Sequence, residues 1–387
     1  MARNRAEGHP VRVLIIGTLP PPIGGASVLL KQLVDELRER GDVNLVVIET
    51  GGIRNGGLKG VFRFASVFWQ TIWQVRRADV VALHAASGGL LIMGSILLPT
   101  TRFFRKPLLI RGFGGTYYPQ SFGAARRAMT RTIVRNAHLF LVETKAMVRS
   151  AREEGIRRVA WYPNSRPLAG NVDSAPPESR PCRKFVYFGH VRPCKGIAEV
   201  IEAGERFGDE VSVDVYGPFL DGLSARTFEG LKTVRYCGVV PPDQAVATLR
   251  RYDILLLPTY HAGEGYPGVV LESFRAGRPV ITTYWRAIPE IVDETCGILI
   301  DPHNADQLYD AMKRLTEDPQ LYRTLCQGVR SQRQLFDSRL WTECFTAYCK
   351  VLAQYGGNPG HEHMDQIEQT CRSAASRAAR DQEVTYA

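Results

Sequence analysis

The sequence lacks closely paired cysteines and long apolar runs. Its eight cysteines form no C-x-x-C pair, and the two closest are Cys344 and Cys349. In a chain of 387 residues, this scatter predicts reduced, buried thiols and argues against a disulfide framework or a zinc site. The most hydrophobic stretch, residues 88–104, is interrupted by Gly94 and Pro99, and it falls short of the ~20 residues that span a bilayer.

The N-terminal segment lacks the apolar run of a signal peptide. The run in MARNRAEGHPVRVLII is about six residues long, and a secretory signal needs a longer one. Because neither a signal nor a membrane span is found, we expect a cytoplasmic protein, with peripheral attachment at the inner face of the plasma membrane as a further possibility.

Acidic residues are scarce in the first half of the chain. Residues 1–170 hold 25 Lys and Arg against 10 Asp and Glu, whereas the remainder holds 24 against 29. A one-sided basic face favours an anionic partner, either a phosphorylated substrate or an anionic membrane surface. An arginine-rich background composition is the other interpretation. Nucleic acid is not expected, because no basic and aromatic recognition module stands out.

Short apolar runs alternate with helical patterns along the whole chain. Runs such as VRVLIIG and VNLVVIET, rich in Val, Ile and Leu and separated by helices, predict a parallel sheet covered on both faces. The pattern stops in the Pro- and Ser-rich residues 171–182, a predicted linker, and restarts at KFVYFGH. We therefore predict an α/β protein with two Rossmann-like domains, residues 1–170 and 183–339, facing a cleft. Residues 357–387 are polar, and we expect a disordered tail there.

Two loops that follow predicted strands are candidates for phosphate binding. In the first, Gly24 and Gly25 precede a helix that Ser27 could cap, and paired glycines let backbone amides approach a phosphate. That loop is not G-x-G-x-x-G and has no Walker lysine, so it fits neither a dinucleotide fingerprint nor a P-loop, and an ordinary turn is the alternative. In the second, the strand ends at Gly189, and a basic loop leads to Gly196 and a helix. Its cations, which suit a pyrophosphate, are His190, Arg192 and Lys195.

The stretch GEGYPGVVLESF carries two carboxylates at a loop–helix junction. Glu264 lies in the glycine-rich loop, and Glu272 follows eight positions later inside the predicted helix. This spacing directs both carboxylates toward one cleft at different depths, which suits two acceptors on one extended ligand. The first amides of the helix are free to bind oxygen. No metal is predicted, because no His or further carboxylate lies at ligand spacing.

These motifs together resemble the GT-B glycosyltransferases of the large retaining family four, also called glycosyl transferases group 1. Glu264 and Glu272 match the family's E-x7-E motif within EGYPGVVLE, and Gly189–Gly196 matches its phosphate loop. The segment IPEIV at residues 288–292 is also typical, as are the first Gly-Gly loop and DVVALH. The resemblance covers roughly residues 11–355. It implies the GT-B fold, with a helix over residues 340–356 that crosses back to the first domain.

The resemblance also implies roles for the motif residues. The catalytic candidates are Lys195 and Arg192, which would neutralise the leaving diphosphate, and Glu264, which would face the donor-sugar hydroxyls. The family usually has Arg directly after the first glycine of the phosphate loop, where this chain has His190; Arg192 is the candidate to reach the same phosphate. Glu272 would hold the ribose. The remaining donor-binding candidates are Gly24, Gly25, Gly189, His190, Gly265, Tyr266, Pro267, Gly268 and Val269.

Two further features of the first half concern the acceptor and the membrane. His84 and Arg111 end neighbouring predicted strands and are candidates to line the acceptor side, although a lone histidine can equally be structural. A helix over residues 61–77 has apolar residues at 61, 65, 68, 72 and 75, which predicts core packing of that stripe. Its aromatic residues Phe62, Trp69 and Trp73 spread onto a second face, which makes docking to an anionic membrane the alternative.

The sequence therefore predicts a retaining hexosyltransferase that uses a nucleotide-diphosphate sugar. The chain has no D-x-D triplet, the motif through which GT-A enzymes recruit a metal, so we expect neither a cofactor nor a catalytic metal. The expected acceptor is a saccharide or a lipid-linked sugar of an envelope or exopolysaccharide pathway. The rivals are a GT-B nucleotide-sugar 2-epimerase and a catalytically silent sugar-nucleotide or lipid-binding protein; a nucleotide-binding oxidoreductase fits least.

Overall fold

The chain divides into two units, each built on one parallel sheet. The computed structural model describes residues 10–21, 24–51, 58–116, 122–168 and 181–356, with seven helical positions between 363 and 373. The first unit contains the described residues up to Ser165 and those from Ser338 onward, and the second contains Arg166–Asp337. The boundary between the two units therefore lies between Ser165 and Arg166, whereas the sequence predicts a first domain that ends at residue 170. The predicted alternation of strands and helices is confirmed in both units.

The sheet of the first unit has six strands in the order β2-β1-β3-β4-β5-β6, and all its neighbours pair in parallel. The strands are β1 (Arg12–Gly17), β2 (Asn44–Glu49), β3 (Val80–Ala85), β4 (Leu108–Gly112), β5 (Leu139–Val142) and β6 (Val159–Trp161). The connecting helices are α1 (Gly25–Arg40), α2 (Leu58–Arg77), α3 (Ser87–Phe103), α4 (Ala124–Arg135) and α5 (Lys145–Glu153). The central strands are buried along their length because helices cover both sheet faces.

Helix α2 buries or half-buries the C-terminal part of the stripe that its sequence predicts, but leaves the N-terminal part exposed. Val61 is 65% exposed and Ala65 is exposed, whereas Val67, Thr71 and Val75 are buried. The predicted core stripe through residues 61 and 65 is therefore wrong at its N-terminal end. Large apolar side chains also lie on the exposed side of α2, among them Phe62 and Trp69, so the apolar pattern alone does not select the buried face.

The second unit repeats the architecture with the strand order β12-β11-β10-β7-β8-β9, again all parallel. Its strands are β7 (Lys184–Phe188), β8 (Ser212–Tyr216), β9 (Val234–Tyr236), β10 (Ile254–Leu257), β11 (Val280–Thr283) and β12 (Gly297–Ile300). Its helices are α6 (Ile197–Glu205), α7 (Ala245–Leu249), α8 (Gly268–Arg275), α9 (Ala305–Glu317) and α10 (Pro319–Gln334). Strands β7 and β10 lie at the centre, so the loops that leave their carboxyl ends are neighbours.

Helix α11 (Ser338–Gln354) follows the second unit in sequence but packs on the first. The Tyr162 hydroxyl donates to the carbonyl oxygen of Trp341 at 2.8 Å, and the rings of Trp161 and Trp341 meet edge to face with centroids 5.0 Å apart. Glu36 of α1 accepts hydrogen bonds from the hydroxyls of Ser338 and Thr342. These buried contacts fix α11 against α1 and the end of β6.

Two segment predictions fall largely outside the described residues. Of the predicted linker 171–182, Pro181 and Cys182 are described, and Cys182 is fully buried in the core of the second unit. The predicted disordered tail 357–387 is described at seven positions only, and there it is helical. These positions are His363, Met364, Gln366, Ile367, Gln369, Thr370 and Ser373.

The described cysteines depart from the expected reduced, buried thiols at three positions, since Cys194 and Cys237 are only half-buried and Cys344 is oxidised. Six are free thiols, in agreement with reduced side chains, but Cys344 of α11 is disulfide-bonded. Spacing along the chain says little about which thiols meet in the fold, so this bond could not be predicted from the sequence. Among the described residues, none of the helices has the length and apolarity needed to cross a membrane.

Candidate functional site

The candidate site of the second unit begins at the loop that joins β7 to α6. Gly189 (φ 136°) and Gly196 (φ 80°) both adopt backbone conformations that favour glycine. A Cβ at Gly196 would lie 2.2 Å from the carbonyl oxygen of Pro258. Only glycine therefore lets this loop lie directly against the end of β10.

Lys195 and Glu264 meet across these two loops. The Lys195 ammonium forms an ion pair with Oε2 of Glu264, and the Thr259 hydroxyl donates to the same oxygen at 2.9 Å. The side chains of Lys195 and Glu264 are 17% and 9% exposed. The Glu264 amide donates to the His261 carbonyl oxygen at 3.1 Å, which closes the turn that presents the carboxylate. The structure thus brings together two of the three predicted catalytic residues.

Arg192, the third predicted catalytic residue, has a different partner. Its guanidinium pairs with Asp221 at 2.8 Å, and its side chain is 26% exposed. It remains in the same loop as Lys195, one residue before the short 3₁₀ turn Pro193–Lys195. Arg192 is therefore anchored beside the Lys195–Glu264 pair and does not form part of it.

The histidines of this site are held in the neutral form. Burial lowers the pKa of His190, and the nearby Lys195 and Arg192 lower it further. Burial likewise lowers the pKa of His261, with Lys195 adding to the effect. A neutral imidazole does not supply the positive charge that the resemblance assigns to the position after Gly189. At neutral pH the positive charge of this loop comes from Lys195 and Arg192 instead.

Helix α8 positions Glu272 against an arginine that the sequence did not single out. Nη2 and Nε of Arg166 lie 3.2 and 3.3 Å from Oε1 of Glu272. The backbone of Arg166 is fixed by its amide, which donates to the Phe336 carbonyl oxygen at 2.9 Å. A Cβ at Gly268 would lie 2.7 Å from Nη2 of Arg166, so the glycine at the start of α8 leaves room for the guanidinium.

The other residues at the start of α8 contribute mainly backbone. Pro267 precedes the helix in an extended conformation, and the amides of Gly268 and Val269 belong to the first turn, whose N–H groups have no acceptor within a helix. Gly265 and the buried Tyr266 lead into this turn, and the Tyr266 hydroxyl donates to Glu290 of the IPEIV segment at 2.7 Å. The buried Tyr266 side chain therefore anchors the loop to the IPEIV segment, and the first turn of α8 provides backbone hydrogen-bond donors.

In the first unit, Gly24 and Gly25 begin α1 as expected. The Gly24 amide donates to Oγ of Ser27 at 3.1 Å, and the same hydroxyl donates to the Gly24 carbonyl oxygen at 3.0 Å. A Cβ at Gly25 would meet nothing within 4 Å. Ser27 is the third residue of α1 and Gly24 is its N-cap residue, so Ser27 does not cap the helix as predicted. Its hydroxyl occupies the Gly24 amide, so a phosphate at this turn would depend on the amides that follow.

His84 and Arg111 are neighbours at the carboxyl ends of β3 and β4, where they pair in register. Both are 3% exposed. The His84 ring packs against Phe113 and Phe345, and neither of its nitrogens has a hydrogen-bond partner among the described residues. Burial and the nearby Arg111 lower the pKa of His84 well below its ordinary value. The two residues thus lie side by side and buried at the carboxyl ends of their strands. That they line the acceptor site stays a prediction.

Two residues of the site, Thr259 and Arg166, were not predicted from the sequence, and they differ in whether the sequence carries a signal for them. Thr259 follows the buried run DILLLP, so a polar residue at a strand's carboxyl end could have marked it. Arg166 lies beside the predicted linker and has no periodic or motif signal. As for metal ligands, no three His, Cys, Asp or Glu side chains cluster suitably in the part of the chain that the structure describes.

A comparison with known protein families finds a match within the second unit. Residues 182–318 match the family described as Glycosyl transferases group 1. The chain is 25% identical over 186 residues to a D-inositol 3-phosphate glycosyltransferase of Corynebacterium efficiens (42% of this chain, 43% of the relative). It is 24% identical over 221 residues to the enzyme of that name from Corynebacterium diphtheriae (50% and 51%). The chain thus spans about half the length of these curated relatives.

Two solved structures share the fold over most of the chain. HepE from Anabaena in complex with UDP is similar with a TM-score of 0.68 and 15% identity, over 88% of this chain and 100% of that one. Sucrose-phosphate synthase from Thermosynechococcus elongatus has a TM-score of 0.68 and 16% identity, over 89% and 99%. The predicted GT-B fold class is confirmed, and so is the recognition of glycosyl transferases group 1 in residues 182–318.

Proposed function

We propose that this protein is a glycosyltransferase that moves a hexose, with retention, from a nucleotide-diphosphate sugar to a saccharide or lipid-linked acceptor. The observation that carries this proposal is the Lys195–Glu264 ion pair, set at the carboxyl ends of the two central strands of the group 1 segment. Ligands of such sheets bind beyond these strand ends.

Lys195 is placed to stabilise the leaving diphosphate. When the bond between the sugar and the phosphate breaks, negative charge grows on the phosphate oxygens, and a fixed cation nearby lowers the barrier. An ammonium has three N–H donors, so Lys195 can keep its bond to Glu264 and still reach a phosphate oxygen. Arg192, anchored by Asp221, adds positive charge in the same loop. We propose that these cations neutralise the leaving diphosphate, as a metal ion does in GT-A enzymes.

The two carboxylates are placed to accept hydrogen bonds from the donor's hydroxyl groups. Oε2 of Glu264 is taken by Lys195 and Thr259, whereas Oε1 makes no hydrogen bond with the described residues. An ionised carboxylate has about four acceptor positions, so Oε1 can accept from the sugar. In Glu272, Oε1 receives Arg166, and Oε2 remains for the ribose. An anion at the α8 start would be favoured by the first-turn amides.

The choice of nucleotide is based on a similar solved structure, and the choice of acceptor on the composition of the first unit. HepE is described in complex with UDP, with UDP and glucose, and with UDP-glucose, which makes UDP-glucose the first donor to test here. We propose a role in envelope or exopolysaccharide biosynthesis, with a lipid-linked acceptor that the enzyme meets as a peripheral protein at the cytoplasmic face of the membrane. The basic, aromatic first unit supports this location.

The proposal is tested with radiolabelled UDP-glucose and a panel of other sugar nucleotides, each with and without saccharide and lipid-linked acceptors. We expect acceptor-dependent transfer, and NMR of the product should show the anomeric configuration of the donor. Epimer formed without an acceptor would replace the transferase by an epimerase. Binding without turnover on any acceptor would favour a catalytically silent protein, and an inverted product would exclude retention.

A further inference from the structure

The helices α2, α3 and α4 present most of the exposed apolar side chains of the described residues. Eight of the twelve large hydrophobic residues that are exposed lie on these three helices. They are Val61, Phe62, Phe64, Trp69, Trp73, Ile92, Phe103 and Met129, and we call the surface that they define the α2–α4 face. Phe103 is 81% exposed, and Trp69 is 69% exposed. Exposed apolar side chains that are grouped on one surface are typical of an interaction site.

The three helices form one layer on the sheet. α2 contacts α3, and α3 contacts α4. A Cβ at Gly94 of α3 would lie 2.7 Å from a methyl carbon of Ile133 in α4, so these two helices pack closely. The residues that hold α2 to the protein, among them Val67 and Val75, are buried on its opposite side. The exposed aromatic residues are therefore not needed to attach the helix.

The charge of this face has one sign. The three helices contain no Asp or Glu, and their arginines are Arg63, Arg76, Arg77, Arg102, Arg126, Arg127, Arg131 and Arg135. Some of these are paired with carboxylates of other elements, as Arg63 is with Glu49 and Arg131 is with Glu154. Arg76 and Arg77 are exposed at the end of α2, where the Arg77 guanidinium lies 4.1 Å from the centre of the Trp73 ring.

A basic cavity continues the face at the C-terminal ends of α3 and α4. Its volume is about 830 Å³, and its lining includes four arginines and no carboxylate. These are Arg102, Arg135, Arg157 and Arg158. Arg102 directly precedes the exposed Phe103, so a cation site and an apolar anchor lie side by side. This is the arrangement that suits an anionic head group above an acyl chain.

We propose that the α2–α4 face docks on an anionic lipid bilayer, with the aromatic side chains in the interface and the arginines at the head groups. Trp and Phe favour the membrane–water interface, and clustered Lys and Arg are attracted to anionic lipid. A second copy of the chain is disfavoured as the occupant, because a symmetric contact would bring the same cations together. The inference extends the proposed membrane location, but it does not depend on the donor site.

The test is sedimentation of the full chain with phosphatidylcholine vesicles and with vesicles that also contain phosphatidylglycerol, without any sugar nucleotide. We expect binding to the anionic vesicles at low salt, weaker binding as salt rises, and a blue shift of tryptophan fluorescence. The double variant Trp69→Ser/Trp73→Ser should bind at least about 10-fold more weakly, and Arg76→Gln/Arg77→Gln should bind more weakly at low salt and show a smaller salt dependence. Tyr284→Ser, which changes an exposed aromatic residue of the second unit, is the control.

The outcomes separate this inference from the proposed function. Anionic vesicles that fail to bind the wild type, or that bind the double tryptophan variant as they bind the wild type, would overturn the docking face. Association with a soluble acidic protein in place of vesicles would do the same. Circular dichroism confirms that the variants are folded, and quenching of wild-type tryptophan by brominated lipid tests insertion without any variant. Transfer to a water-soluble acceptor is measured separately, so a failed docking face leaves the transferase proposal standing.

Discussion

Lys195 and Glu264 lie 69 residues apart in the chain and form an ion pair at the carboxyl ends of β7 and β10. The contact depends on Gly196, because any side chain there would strike the Pro258 carbonyl group. The two motifs that the sequence shows separately, a basic loop and a carboxylate loop, are thus parts of one site.

Removal of the Lys195 ammonium should abolish transfer. We expect Lys195→Ala to lower kcat/KM by at least ~100-fold, since a fixed charge at the developing anion is lost, while the melting temperature changes little. Steady-state kinetics with the preferred donor measures this. Lys31→Ala, which breaks an exposed ion pair with Asp35 on α1, should keep wild-type kinetics. Wild-type turnover by Lys195→Ala would remove Lys195 from the phosphate.

Glu272 should be required for nucleotide affinity. Loss of one hydrogen bond from a ribose hydroxyl to a carboxylate is expected to weaken binding of the free nucleotide about 10-fold in Glu272→Ala. Calorimetric titration gives the Kd. Glu343→Ala removes a carboxylate that pairs with Arg40 at 2.9 Å in the first unit, and it should leave the Kd unchanged. An unaltered Kd in Glu272→Ala would exclude the ribose contact.

Gly196 should be less tolerant of substitution than a glycine with the same backbone conformation. Gly196 and Gly230 have φ angles of 80° and 79°, but a Cβ at Gly230 would meet nothing within 4 Å. We expect Gly230→Ala to cost about 1 kcal/mol through backbone strain, and Gly196→Ala to cost at least about 2 kcal/mol more because a backbone atom must also move. Denaturant unfolding compares the free energies. If both variants lost the same free energy of unfolding, the Pro258 carbonyl group would move aside from the new Cβ at no energetic cost, which would contradict the prediction.

His138 should make the first unit less stable in acid. Burial, with Arg158 and Arg102 adding to the effect, lowers the pKa of His138 to about 4, and the Leu108 amide donates to its Nδ1 at 3.0 Å. The unfolded chain, with a histidine pKa near 6.5, takes up the proton first as the pH falls. The stabilisation is therefore complete above about pH 6.5 and is lost between pH 6.5 and 4, by roughly 3 kcal/mol in total.

The measurement compares the free energy of unfolding from pH 7 to pH 4 in the wild type and in His138→Asn, which keeps an acceptor near the Leu108 amide. Because the other histidines are common to both proteins, the difference between the two curves reports His138. We expect the wild type to lose more stability over this range. Parallel curves would contradict the lowered pKa.

The sheets could be predicted from the sequence because both faces of each are covered by helices, which requires continuous apolar strands such as DILLLP and VRVLIIG. Glu264, Glu272 and Lys195 could be predicted because short motifs place them at strand ends. Arg166 could not, since its contact with Glu272 joins positions 106 residues apart and neither end encodes the pairing. The same holds for the partner of Arg192. The buried face of α2 could not be predicted either, because apolar residues also lie on its exposed side.

The central claim is that Lys195 holds a nucleotide diphosphate in the second unit. Calorimetric titration of the wild type, Lys195→Ala and Lys31→Ala with UDP, and with ADP and GDP for comparison, tests it most directly. We predict that at least one of the three binds the wild type and Lys31→Ala equally, and that it binds Lys195→Ala at least about 10-fold more weakly. Absence of binding to the wild type, or equal affinity for Lys195→Ala, would contradict the claim.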